Sequence, residues 1–375
     1  MTTHEGAREL VQTIQRLSLV RSTGEIQAIV RTAARRLTAA DGAALVLRDG
    51  PGDDYVDDAG SPPWNGRHFT LETCVSAWSM RNHAPAVVAD VRTDKRIPDE
   101  VHPPAFVKSL AMMPIRPLDP VGAIGSYWTR PHQPTDTELE LLQALADSTA
   151  VALENVRAYE ELDDARLETL ERLALAAEYR DDATYEHTRR VARASRLLGE
   201  RLGLSAPAVA MIELAAPLHD IGKVAVSDAV LLKSGRLSDE EIAQMREHAG
   251  AGAAILSGSG SEVLRLAREI ALSHHEWWDG SGYPRGLRAG AIPLSGRIVA
   301  LADVFDALTH ARPYKRAWAL ADAVTEVSRL AGEQFDPAVV AAFEGLDPAR
   351  LVAPVGSAPA RASLARAASA GFAAA

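Results

Sequence analysis

Residues 212–223 read Ile-Glu-Leu-Ala-Ala-Pro-Leu-His-Asp-Ile-Gly-Lys, an apolar helical run that ends on His219-Asp220 and continues through Ile221-Gly222-Lys223. Neighbouring side chains on a helix diverge by about 100°, so an adjacent imidazole and carboxylate flank one position only if something lies between and beside them. A metal pair meets that condition, with the carboxylate bridging two ions while the imidazole holds one. A buried, hydrogen-bonded His-Asp pair is the other reading of this stretch taken alone.

The same residue types recur on both sides of it. His187 opens the helix that continues through Arg189-Arg190-Val191-Ala192, and His248 follows Met245-Arg246-Glu247. His274-His275 ends the helical run Ile270-Ala271-Leu272-Ser273, and Asp303 closes Ile298-Val299-Ala300-Leu301-Ala302. Ionisable groups on apolar helices are expensive to bury unless they are paired or bound to a metal. Five histidines and two aspartates in that setting exceed what separate structural explanations can cover. Nearly every segment from about Leu173 to Leu346 reads as helix, broken by turns such as Lys233-Ser234-Gly235-Arg236 and Gly280-Ser281-Gly282. Cores of helical bundles are a common place for two-metal sites. The chain has one cysteine, Cys74, so it forms no intramolecular disulfide and no thiolate cluster. Nitrogen and oxygen donors of this kind suit Fe, Mn or Zn better than Ca or Mg.

Several motifs stand in order from about Arg180 to Pro337: His219-Asp220-Ile221-Gly222-Lys223, then His274-His275-Glu276-Trp277-Trp278-Asp279-Gly280-Ser281-Gly282-Tyr283-Pro284. Ala302-Asp303-Val304-Phe305-Asp306-Ala307-Leu308-Thr309 and Arg312-Pro313-Tyr314-Lys315 follow. This region resembles the HD-GYP family of HD-superfamily phosphodiesterases. The resemblance implies an all-α HD-type metal-binding domain over residues 173–350 that hydrolyses cyclic di-GMP to pGpG or GMP. By the same resemblance His187, His219, Asp220, His248, His274, His275 and Asp303 are metal ligands, with Asp220 bridging. Asp220 and Lys223 are then catalytic, Lys223 on the scissile phosphate, while Tyr283, Arg312 and Lys315 hold the dinucleotide. Lysine as a point charge and arginine as a fork are both suited to phosphate. Members with three metals carry a Glu one helical turn before the first histidine, where this chain has Ala183. Two divalent ions, Fe or Mn, are therefore expected.

The first half has a different texture. Leu10, Ile14 and Leu17, then Ile26, Ile29, Val30, Ala33 and Leu37, keep a helical period. Ala43–Leu47, Ala86–Val91, Leu110–Ile115 and Ala123–Trp128 are short apolar runs set off by Gly, Pro or Asp, as strands are. Helices around an antiparallel sheet give an α+β fold. Phe106–Ile115, Val121–Trp128 and Asp90–Pro98 resemble a GAF domain, which places a GAF-like sensor over residues 8–158. Cys74 reads as a small buried hydrophobe in preference to a chromophore attachment point. His83 as a haem ligand is the weaker reading of that residue.

Residues 135–179 form a connecting helix that overlaps both domains. Leu142, Ala146, Thr149, Leu153 and Val156 alternate at spacings of four and three, the pattern of a coiled-coil seam and hence of a parallel homodimer. One amphipathic helix packed on its own domain shares that pattern. Residues 355–375, rich in Ala, Ser and Pro, hold too little large apolar surface to pack and are expected to be disordered.

Composition narrows the function classes. The chain has 375 residues, 47% hydrophobic and 24% charged, with a net charge of −10 spread evenly along its length. No positive field exists for a polymeric nucleic acid. The N-terminus lacks the signature of a signal peptide, and no apolar run approaches a membrane span, so a cytoplasmic protein is expected. The reading that follows is a sensor-regulated cyclic di-GMP phosphodiesterase. Its alternatives are a catalytically silent dinucleotide- or protein-binding module and a phosphodiesterase for another cyclic dinucleotide.

Overall fold

The computed structural model describes residues 3–48, 54–57, 67–70, 75–94, 106–179, 186–311 and 316–353. By contacts the chain divides into Met1–Glu161 and Leu162–Ala375. Cys74, Ala183, Arg312, Lys315 and the expected disordered tail 355–375 lie outside the described residues.

The first unit begins with helices α1 (Thr3–Leu17) and α2 (Thr23–Thr38), separated where Ser22 caps α2 by accepting from the Glu25 amide. Strands β1 (Gly42–Arg48), β2 (Asp54–Asp57) and β3 (Arg67–Thr70) follow, then helix α3 (Val75–Arg81) and strands β4 (Ala86–Val88), β5 (Ser109–Ile115) and β6 (Gly122–Trp128). All pairings are antiparallel in the order β3-β2-β1-β6-β5-β4, with Leu45 opposite Ile124 and Ile124 opposite Met113.

Alternate strand residues point to opposite faces. Leu45, Met113, Ile115 and Ile124 pack with Ile26, Val30 and Leu37 of α2. Val46 and Ala123 pack on the other face with Ala77 and Met80 of α3. Covering on both faces explains why β1, β5 and β6 read as nearly continuous apolar runs instead of a clean alternation. Strands β2 and β3 were not expected, because Asp54-Tyr55-Val56-Asp57 and Arg67-His68-Phe69-Thr70 carry no apolar run. The run Ala86–Val91 forms a strand only to Val88.

Helix α4 (Asp136–Glu178) is 43 residues long. Here the dimer-seam expectation is corrected. Leu142, Ala146 and Val156 are buried in the first unit's own core, with Leu153 packed against it, and Thr149 is buried too. The seam pattern marks the face that the helix lays on its own sheet and helices. Farther along, Ala174 and Ala177 belong to the core of the second unit.

The second unit runs through α5 (Glu186–Arg201), α6 (Ala206–Ala215), α7 (Asp228–Leu231), α8 (Asp239–Ile255), α9 (Glu262–Ala271), α10 (Leu294–Thr309), α11 (Leu320–Arg329), α12 (Pro337–Glu344) and α13 (Pro348–Val352). In α5, His187, Arg190, Val191, Ala194, Leu197 and Leu198 are buried at the spacing of one helical face. Helix α10 buries Ile298, Val299, Leu301, Ala302 and Phe305, and the Phe305 ring meets Phe343 of α12 edge-on at 4.9 Å. These chains form one apolar cluster with Ile212, Leu218 and Ile270. Helix α8 starts sharply at a capping box, in which Ser238 and Glu241 satisfy each other's backbone amides.

Candidate metal centre

The apolar helix that leads to His219-Asp220 ends earlier than its sequence implies. Helix α6 stops at Ala215, Ala216–Leu218 is a 3₁₀ turn containing Pro217, and a second 3₁₀ segment runs from Ile221 to Ala225. Proline lacks the amide that a continuing helix needs. His219 and Asp220 therefore sit between two tight turns, with Asp220 at φ −100° and ψ 9°. That backbone, and not a helix, lets consecutive side chains face one site. Gly222 makes it possible: an added Cβ would lie 1.9 Å from the His248 carbonyl oxygen and 2.3 Å from the Gly252 amide, so the turn rests directly on the backbone of α8.

Helix α8 contributes His248, the end of α9 leads to His274 and His275, α5 presents His187, and α10 presents Asp303. Donor atoms of Asp220, His248, His274 and His275 lie within 4.8 Å of one another, and so do those of His187, His219 and Asp303. Asp220 looks toward both groups. Its Oδ1 is 3.4 Å from His248 Nε2 and 3.6 Å from His274 Nε2, while its Oδ2 is 3.4 Å from His219 Nε2. Asp303 Oδ1 lies 3.4 Å from His187 Nε2 and 4.0 Å from His219 Nε2.

The Nδ1 atoms explain why the Nε2 atoms point inward. His219, His248 and His274 each place Nδ1 on a backbone carbonyl, of Ala216 at 2.9 Å, Met245 at 2.6 Å and Ile270 at 3.1 Å. A carbonyl can only accept, so each Nδ1 donates its proton and the neutral ring keeps its lone pair on Nε2. The Nε2 atoms of all three, and Asp220 Oδ1, are buried without a hydrogen bond. Orphaned buried polar atoms carry a large penalty. Such atoms in both donor groups fit bound cations, and the donor set of imidazole and carboxylate suits transition-metal ions.

The electrostatics agree. Burial works against charge at Asp220, yet Lys223, 2.8 Å from Oδ2, and His219 hold its pKa well below the usual carboxylate range. Burial also opposes a charged His219, but Asp220 and Asp303 outweigh it and raise that imidazole to about 9. The same negative charge would attract a metal ion, which binds the neutral ring by displacing the Nε2 proton. At His248 and His275 burial prevails and lowers the pKa, which keeps those rings neutral and able to coordinate.

A loop from Glu276 to Leu287 frames the space. Glu276 is buried, and its two oxygens accept from the amides of Arg285 and Leu287, both at 2.8 Å. Gly282 passes so close to the chain that an added Cβ would lie 2.2 Å from the Trp277 amide nitrogen. This fold-back stacks the Tyr283 ring on His275, at 4.7 Å and 24°, and burial pushes the Tyr283 phenol pKa upward.

Sequence reasoning missed three partners here. Asp306 is buried and accepts from His187 Nδ1 at 2.6 Å, and Arg190 grips both of its oxygens at 2.6 and 3.0 Å. Burial would raise the Asp306 pKa, but these bonds lower it to about 2. Its place one turn after Asp303 was the available signal. Arg246, exposed two residues before His248, holds its guanidinium 4.9 Å from the Tyr283 ring centroid. His83 sits on the surface, with Nδ1 on the Pro117 carbonyl at 2.5 Å.

Comparison with known proteins matches the HD domain over residues 168–339 and the GAF domain over residues 21–154. A cyclic di-GMP phosphodiesterase of Thermotoga maritima is 49% identical over 189 residues, which is 50% of this chain and 51% of that protein. The cyclic di-GMP phosphodiesterase response regulator RpfG of Xanthomonas campestris is 49% identical over 183 residues, 49% of this chain and 48% of that one. A 3'3'-cGAMP-specific phosphodiesterase 2 of Vibrio cholerae is 39% identical over 206 residues, covering 55% and 40%. The chain thus spans about half the length of the first two of these relatives. Its own sequence carries a GAF domain followed by an HD domain with a candidate His/Asp metal site.

Proposed function

We propose that the HD domain hydrolyses cyclic di-GMP to pGpG, GMP or both with two divalent ions, Fe or Mn, and that the GAF domain regulates it. The position of Asp220, with one oxygen toward His248 and His274 and the other toward His219, carries this reading. His187, His219 and Asp303 would hold one ion, His248, His274 and His275 the other, and Asp220 would bridge them. Such a pair, when bound, supplies Lewis acidity toward phosphoryl oxygens and a nucleophile at neutral pH.

The chain's own residues do the rest. Lys223 brings an ammonium beside Asp220, where a scissile phosphate would meet it. Tyr283 offers a ring face and a hydroxyl at the edge of the centre, and Arg246 adds a guanidinium over that ring. Arg312 and Lys315 complete the proposed hold on the dinucleotide. Sequence similarity to cyclic di-GMP phosphodiesterases over the HD domain supports the substrate class. A second substrate, 3'3'-cGAMP, is worth equal trial because a relative named for it is 39% identical. Full-length protein, kept reduced and loaded with Fe(II) or Mn(II), should linearise cyclic di-GMP faster than 3'3'-cGAMP. Tight nucleotide binding without product over hours would show a binding module instead. We further propose a cytoplasmic homodimer, formed through surfaces other than the buried face of α4.

A further inference from the structure

Four imidazoles of the centre have their Nδ1 atoms tied down, and they are not tied alike. His219, His248 and His274 donate to neutral backbone carbonyls. His187 donates to a carboxylate, Asp306 Oδ2, at 2.6 Å. Asp306 is itself held: Arg190 Nε lies 2.6 Å from Oδ1, Arg190 Nη2 lies 3.0 Å from Oδ2, and His310 Nδ1 lies 3.1 Å from Oδ1. The side chains of Asp306 and Arg190 are only 6% and 7% exposed, so water does little to weaken the arrangement.

The carboxylate-bound ring belongs to one donor group. That group is His187, His219 and Asp303, and Asp220 turns one oxygen toward it and the other toward His248 and His274. An anionic acceptor on the far nitrogen of a histidine fixes its ring and makes the near nitrogen a stronger donor. The Nε2 so strengthened lies 3.4 Å from Asp303 Oδ1.

We propose that Asp306 is a positioning residue for the ion held by His187, His219 and Asp303, with Arg190 holding Asp306 in place. This rests on the two-ion reading above. A purely structural Asp306–Arg190 pair would affect the fold without distinguishing one ion from the other.

The test is Mn(II) binding to metal-stripped full-length protein, followed by calorimetry, with circular dichroism to check folding. Asp306→Asn keeps the shape and an oxygen for His187 but removes the charge. Arg190→Met with Asp306→Asn removes both buried charges and keeps the test available should the single variant fold poorly. In each, one of two sites should weaken about 10–100-fold while the other is unchanged. Combined with His187→Ala, Asp306→Asn should cause no further loss, because its effect passes through that ring. Equal weakening of both sites, weakening of neither, or a further loss on the His187→Ala background would overturn the proposal. Wild type that binds fewer than two ions would overturn the two-ion reading itself, and this inference with it.

Discussion

The Tyr283 ring stacks on His275, with centroids 4.7 Å apart and planes 24° from parallel, while the Arg246 guanidinium covers Tyr283 at 4.9 Å. An aromatic face and a cation thus border the metal centre from one loop and one helix. Arg246→Ala should lower kcat/KM for cyclic di-GMP about 10–100-fold, the range for losing a charged hydrogen bond to phosphate. Arg246→Lys should recover part of that. Steady-state kinetics with unchanged metal content would check it, and an unaffected kcat/KM would remove Arg246 from the substrate site.

Asp220 faces both donor groups, so its loss should be felt by both. Asp220→Ala should reduce turnover to below about a thousandth of wild type and lower metal content, with the helical circular dichroism retained. Turnover close to wild type would show that the shared carboxylate is dispensable.

Gly222 lies against the backbone of α8, where no side chain can yield. Gly222→Ala should cost about 1–3 kcal/mol or more by overpacking and push the His219-Asp220 turn away from His248. Thermal denaturation and metal uptake should fall together. A stable variant with full metal content would contradict the contact.

Glu213 on α6 is largely buried, one of its oxygens makes no hydrogen bond, and burial raises its pKa to about 7. Arg196 and Arg193 oppose that rise, and Glu200 adds to it. A carboxyl whose folded pKa exceeds its unfolded value stabilises the fold at low pH, and that contribution is lost as pH rises through about 7. The shift corresponds to roughly 3 kcal/mol. Glu213→Gln should therefore raise the Tm at pH 8 and leave it nearly unchanged at pH 4. Equal effects at both values would exclude a titrating Glu213.

Leu142 is fully buried in the first unit's core. Leu142→Ala should cost that unit about 2–5 kcal/mol and leave the oligomeric state unchanged in sedimentation. Dissociation of a dimer without loss of stability would restore the seam reading.

Local pattern determined a good deal of this protein by itself. An α+β domain followed by an all-helical one was legible because short apolar runs bounded by Gly, Pro or Asp, and apolar residues at helical spacing, are written into consecutive side chains. The unusual density of histidines and aspartates on apolar helices was legible for the same reason, since burial of such groups needs compensation. Tertiary structure decided what spacing cannot encode. A four-three repeat is shared by a coiled coil and by a helix lying on its own core, and only the packing of Leu142 and Ala146 against α2 and the sheet separated the two. Strands β2 and β3 exist by pairing, β2 to β1 and β3 to β2, not by their own apolar content. Asp306 stands in the motif Ala302–Thr309, but nothing in that motif names its partner. Its contact with His187, 119 residues away in sequence, arises only when α5 and α10 come together, because a hydrogen bond depends on position in space and not on distance along the chain.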